Sequence, residues 1–191
     1  PVTDEEREAD VVRFLEQATL GPTEALIQEV KAKGIERWLD EQIPMNVTKY
    51  TQLPYFDSIA EMNTCIDDKS LPWTPEKWCS LNKRSHVPVA WEFFRQSRTA
   101  PDQLRMRMGY TWHMLFAAND GGNAYAAAEF QQRFRDNAFG AFENILAKYV
   151  LSPELGTYQN WVLNVPERNG IKPNENFARE LMQLFTIGVN E

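Results

Sequence analysis

The sequence is short of basic charge, of cysteine and histidine, and of long apolar runs, and each shortage removes a class of function. Only 20 Lys+Arg stand against 27 Asp+Glu, a net charge of -7 in 191 residues. The counterion release that gives nucleic-acid binders most of their affinity is therefore missing. The acidic excess is uneven: residues 1–45 hold 11 acids and 5 bases, whereas residues 91–140 hold 5 acids and 6 bases. No apolar stretch approaches the ~20 residues that a helix needs to cross a bilayer. The first residues, Pro1-Val2-Thr3-Asp4-Glu5-Glu6, lack the basic and apolar regions of a signal peptide. A start at Pro instead of Met is expected of a trimmed chain.

With two cysteines, Cys65 and Cys79, and two histidines, His86 and His113, a four-ligand zinc site would have to use all of them, and their spacing fits no finger, ribbon or knuckle. No metal or cofactor is implied. The cysteines either close a loop of about 15 residues, a link that would contribute roughly 3 kcal/mol by the chain-entropy model, or are two unrelated buried thiols. G-x-S-x-G, G-x-G-x-x-G and P-loop patterns are absent. Ser85-His86 reads as a loop pair, since adjacency does not aim a base at a nucleophile. Asn119–Asn123 has oxygen ligands but not the EF-hand spacing, and reads as a Gly-rich turn. His113, beside the apolar Trp112, reads first as a core or rim histidine.

Helical periodicity is what the chain does have. Thr3 and Glu6 form a capping-box pattern before Val11, Phe14, Leu15 and Ala18. Further helices are expected from Thr23 to Gly34, from Ile35 to Pro44, and from Pro88 through Trp91, Phe94 and Arg98. Another is expected from Asp102 to Ala118, with Leu104, Met108, Thr111, Trp112 and Leu115 on one stripe. A single long helix from Tyr125 toward Val150 would carry Phe130, Phe134, Ala138, Phe142, Ile145 and Tyr149, with Gly140 as a weak point. Residues 45–86 read as an irregular, cysteine-containing excursion with one short helix, and 152–172 as a second loop. The fold expected is all-α, an irregular multi-helix bundle with long excursions, in one domain or the N-terminal part of a larger one. Trp73 and Trp78 would either stack on sugars or form the small core of the cysteine loop.

The last helix, 173–188, carries the most informative string, Pro173-Asn174-Glu175-Asn176-Phe177-Ala178-Arg179-Glu180-Leu181. Asn174 is placed to cap it and Glu175 to face the positive end of its dipole. Phe177, Leu181, Leu184 and Phe185 would form a buried stripe. Asn176, Arg179, Glu180 and Gln183 would lie opposite, with Glu175 and Arg179 four residues apart, either as an ion-paired surface or as part of a cleft. Five residues apart on a helix, Glu175 and Glu180 point about 140° away from each other, a poor start for a facing carboxylate pair.

This string, with Arg13-Phe14-Leu15-Glu16-Gln17-Ala18-Thr19-Leu20-Gly21-Pro22-Thr23, Trp38-Leu39-Asp40-Glu41-Gln42 and Asn137-Ala138-Phe139-Gly140-Ala141-Phe142, resembles the bacterial domain of unknown function 1800 family. The resemblance implies a secreted, periplasmic or cell-surface helical protein. It also implies a neighbour resembling sulfatases and phosphatases as a partner, and no defined reaction. Export favours the disulfide reading of Cys65 and Cys79. Members of the family often have W-H-x-H-F where this chain has Trp112-His113-Met114-Leu115-Phe116, so a histidine-pair metal site is disfavoured, and often His in place of Asn137. Similarity in that family continues past Glu191, so the apolar stripe of the last helix is expected to pack partly on downstream polypeptide. Two roles follow as expectations. One is a scaffold or interaction module whose cluster is Asn174, Glu175, Asn176, Arg179, Glu180 and His113. The other is a hydrolase-like enzyme acting on an extracellular or envelope polymer, with carbohydrate binding through Trp73 and Trp78 as a lesser alternative.

Overall fold

The computed structural model describes residues 3–50, 59–71, 74–83, 85–116, 124–162, 164–168 and 170–189. At its N-terminal end the Thr3 hydroxyl accepts from the Glu6 amide at 3.2 Å while the Glu6 carboxylate takes the Thr3 amide at 2.8 Å, which closes the capping box of α1 (Asp4–Ala18). Helix α2 (Glu24–Lys33) meets α3 (Ile35–Gln42) at Gly34, whose φ of +89° a residue with a side chain would adopt only under strain. The three helices bury Val11, Leu15, Ala18, Val30 and Trp38 together, with Phe14 edge-on to Trp38 at 5.6 Å.

The excursion at 45–86 is less irregular than its punctuation implies. It contains two helices, α4 (Ile59–Asp67) and α5 (Pro75–Lys83), cross-linked by Cys65–Cys79. Helices this short carry little periodic signal and are marginal alone. Their pairing through the disulfide supplies what the sequence pattern lacks. Before them, residues 46–50 run without regular structure and are held by side chains. Asp102 accepts from the Thr48 amide at 2.8 Å and from its hydroxyl, the Gln96 amide donates to the Lys49 carbonyl at 2.9 Å, and the Tyr50 amide donates to Gln132 Oε1 at 3.2 Å.

Helix α6 (Val87–Thr99) buries Val89, Gln96 and Ser97 and turns Trp91 and Phe94 outward. On α7 (Gln103–Leu115) the expected stripe does not hold: Thr111 and Leu115 are exposed, while Met106 and Gly109 are buried. The reason is central placement. Leu104 packs on the N-terminal cluster, whereas Trp112 packs on a second cluster that includes Phe116 and the next helix, so no single face is apolar.

The expected long helix at 125–150 is two, α8 (Ala124–Asp136) and α9 (Phe142–Val150). Asn137 donates its side-chain amide to the Arg133 carbonyl at 2.8 Å and accepts from the Gly140 amide at 2.8 Å, and Ala141 is extended at φ -66°, ψ 144°. That turn lets both helices keep their apolar faces on one core of Phe116, Phe130, Phe134, Ile145, Tyr149 and Leu155, although Phe142 is exposed. Within the expected loop 152–172 lies α10 (Pro153–Tyr158), capped by the Ser152 hydroxyl, which accepts from the Leu155 amide at 3.2 Å. The last helix, α11 (Asn176–Gln183), is shorter than 173–188 and has no buried residue. Phe177, Leu181 and Phe185 are half-buried and Leu184 is exposed. The architecture is all-α, with eleven helices and no strand among the described residues, only an isolated bridge between Arg168 and Ile171.

The cross-link gives a direct expectation. Thiol titration of the denatured, unreduced chain should find no free cysteine, and reduction should lower the unfolding midpoint by a stability change of roughly 3 kcal/mol for a loop of this length. Two reactive thiols before reduction would overturn the pairing.

Candidate functional site

The segment leading into α11 is organised by asparagine side chains. Asn164 Nδ2 donates to the Asn174 carbonyl at 2.8 Å and Asn164 Oδ1 accepts from the Asn174 amide at 2.9 Å, a reciprocal pair that fixes the approach of the chain. Asn174 Oδ1 then accepts from the Asn176 amide at 2.9 Å, satisfying one of the orphan donors at the helix start. Asn176 faces the end of α10, where its side-chain amide donates to Gln159 Oε1. Its own oxygen accepts from the Arg179 guanidinium, which also reaches Glu180 at 3.0 Å and Glu175 at 3.6 Å.

These residues do not share one environment. The Glu180 side chain is 16% exposed, that of Arg179 45% and that of Glu175 76%. The polar face is therefore engaged by protein at Asn176 and Glu180 and by water at Glu175. Gln159, Asn176 and Glu180 form the polar floor of an open cleft of about 630 Å³ whose walls are Leu115, Tyr158, Leu184 and Phe185. Phe185 ties this wall to the core, lying 5.1 Å from the Tyr149 ring and 5.5 Å from the Phe116 ring. Burial, reinforced by the nearby Tyr158 and Glu180, pushes the Tyr149 phenol well above its ordinary range, so it stays neutral.

His113 is not part of this cluster. Its ring sits edge-on to Phe130 at 5.6 Å and Phe134 at 6.2 Å and lines a separate cavity with Tyr110 and Arg135. Trp78 is half-buried on α5. Trp73 and the Asn119–Asn123 turn lie outside the described residues. Among the described residues no three His, Cys, Asp or Glu side chains come together as metal ligands would, and no helix is long and apolar enough to cross a membrane.

Three buried polar residues, of which Gln159 belongs to the cleft, carry no obvious sequence signal. Gln159 sits in the expected loop, and so does Glu154, although Ser152-Pro153-Glu154 is an N-cap, N1, N2 pattern that announces α10. Glu154 is buried, its Oε2 has no hydrogen-bond partner, and burial raises its carboxyl above 4.5. Arg135, 2% exposed, falls among the polar residues of a helix whose apolar side is unambiguous.

Chemically, the α10–α11 cluster offers amides, one ion-paired carboxylate and apolar walls. Glu175 points to solvent and Glu180 to Arg179, so no two carboxylates of the cluster face each other across a gap that a bond to be cleaved would fill. The model of a family described as Protein of unknown function (DUF1800) matches residues 13–191. The chain belongs to this family. No curated protein and no solved structure matches it. The match to the DUF1800 family spans α11 and the whole cleft.

Two measurements check this geometry. Asn176→Ala should cost about 1–3 kcal/mol in urea unfolding, since it strands Gln159, whereas Arg179→Ala, half in water, should cost under ~1 kcal/mol. A loss at Arg179 that exceeds the one at Asn176 would show that the guanidinium and not the amide holds the junction. For Glu154, the raised folded-state value means that its contribution to stability is fully present below its unfolded value near 4.5 and is lost as pH rises through the folded one. Glu154→Gln should thus gain stability relative to the parent as pH rises above 4.5. Urea midpoints that run parallel across that range would contradict it.

Proposed function

We propose that this DUF1800 chain is a helical scaffold of an exported protein whose α10–α11 face docks an apolar polypeptide segment. The observation that carries the reading is the cleft itself. Leu184 is 62% exposed and Leu115 54%, and they wall it together with Tyr158 and Phe185 over a floor of hydrogen-bonded amides. Beyond the cleft, Ile187 and Val189 are also exposed, in a turn closed by the Ile187 and Gly188 amides donating to the Met182 carbonyl at 2.9 and 3.2 Å. Exposed apolar walls over a satisfied polar floor fit a protein partner better than a sugar or an ion. The one carboxylate on the floor, Glu180, is already matched by Arg179. Export is supported by the Cys65–Cys79 cross-link, which persists in oxidising compartments.

A second copy of the chain serves as the surrogate partner for testing this. Sedimentation analysis over a wide concentration range should show reversible association of the parent, and Leu184→Asp with Ile187→Asp should abolish it without changing the far-ultraviolet circular dichroism. A parent that stays monomeric throughout, with hydrophobic-dye binding equal to that of the double variant, would refute the docking face. So would association that survives both substitutions.

A further inference from the structure

Away from this face, α6, α7 and α8 form a half-open pocket of about 190 Å³ lined by Ala90, Phe93, Phe94, Tyr110, His113 and Arg135, among others. Its walls are aromatic and its one permanent charge is the Arg135 guanidinium. That guanidinium is held by neutral oxygens: Nη1 donates to Gln96 Oε1 at 2.5 Å and Nη2 to the Tyr50 hydroxyl at 2.8 Å. It also lies 4.2 Å above the Tyr50 ring and 5.9 Å from that of Phe93. Tyr50 cannot act as a counter-anion, because burial pushes its phenol up to about 12 and its hydroxyl donates to Gln131 Oε1.

The neighbouring carboxylates are committed elsewhere. Glu92 receives Arg95 at 2.6 Å and the Gln96 amide at 2.7 Å, and Asp102 receives Thr48. Among the described residues, neither reaches ion-pair distance of Arg135: burial disfavours its charged form, and Asp102 and Glu92 offset this only from farther away. Burying a cation without a carboxylate partner is costly. Among the described residues two of its five N–H groups are used, which leaves donors in the planar fork that suits a carboxylate. The surrounding sequence, residues 91–140, is also the part of this acidic chain where bases outnumber acids.

The geometry points to a binding site for a small monocyclic aromatic carboxylate, its carboxylate on Arg135 and its ring among Phe93, Phe94 and Tyr110. Size agrees with this choice, since an apolar cavity of roughly 150 Å³ accommodates benzene and this one, at 190 Å³, has room for the acid group as well. Ring faces stack on the ligand while the buried guanidinium selects its charge.

Calorimetry with benzoate as the probe and benzamide as its neutral isostere tests the site on the unmodified protein. Benzoate should bind and benzamide should bind on the order of tenfold to a hundredfold more weakly, the loss expected when a charge-assisted contact is removed. Arg135→Gln should weaken benzoate to the level of benzamide. Should that variant fail to fold, Ala90→Phe, which fills the cavity from α6 without touching the Arg135 bonds, should abolish binding on its own. Equal binding of the two probes, no binding of benzoate, or binding that survives Ala90→Phe would each overturn the assignment.

Discussion

Everything in this chain depends on the close crossing of α7 and α8 at Gly109. A Cβ there would lie 2.9 Å from Arg135 Cγ and 3.2 Å from its Cα and amide nitrogen, so only hydrogen at that position lets the two backbones approach this far. Three packing clusters meet along the pair. The N-terminal helices dock on α7 through Leu104, the aromatic core is shared by Phe116, Phe130 and Phe134, and Ala124, Ala127 and Ala128 on α8 receive Val89 of α6. Small residues on α8 and glycine on α7 set the spacing. The same crossing carries Arg135 inward and opens the aromatic cavity beside it.

Around that crossing, stretches with no regular structure are held by side-chain amides and carboxylates. Gln42 does this for α3 and α7, its amide donating to the Pro101 carbonyl at 2.9 Å while its oxygen accepts from the Leu104 amide at 3.1 Å. Arg105 donates to the carbonyls of Ile43 and Arg135 at 3.0 and 3.2 Å, and Asp102, Gln96 and Gln132 take up residues 48–50 in the same manner. Buried backbone polar groups must find partners, and here, with no strand among the described residues, long polar side chains from the helices meet the demand. Polar residues such as Gln42, Gln96 and Asp102 are consequently buried, while Trp91 and Phe94 are not.

This explains which parts of the fold were legible in the sequence. Where a helix packs mainly on one side, as in α1, α2 and α3, periodicity and caps mark the element, whereas α8 and α9 read as one helix although their shared face of Phe130, Phe134, Ile145 and Tyr149 is legible. Where a helix is central, as α7 is, or polar side chains are drawn inward, as on α6, hydrophobicity does not report burial and the stripe misleads. Gly140 signalled a weakness, yet nothing in the periodicity said that the helix would stop, because Phe130 and Ile145 stay in phase across the break. Of the site, Asn174 is visible in the sequence as a cap and Asn176, Arg179 and Glu180 as a polar face. Gln159 was not, since its role depends on a partner 17 residues away that only the tertiary fold brings within reach.

The most specific string of the sequence therefore occupies a helix with no buried residue, and the energetics say why that is consistent. Ion pairs that are partly in water contribute little net stability, so the chain of contacts from Asn164 through Asn174, Asn176 and Gln159 to Arg179 and Glu180 is explained as a fold-stabilising device only at the buried Gln159 and not at Arg179. What it does is restrict orientation: the reciprocal Asn164–Asn174 pair and the Asn176–Gln159 bond fix α11 against the end of α10, two points on different elements. A helix fixed at its start by polar contacts, and at its far end by Phe185 on the aromatic core, has a determined rotation about its own axis. That rotation is what directs Leu184 outward beside Leu115 and Tyr158 while Phe185 turns inward. The motif makes the apolar wall of the cleft a defined surface, the property that a docking face requires and a stable core does not.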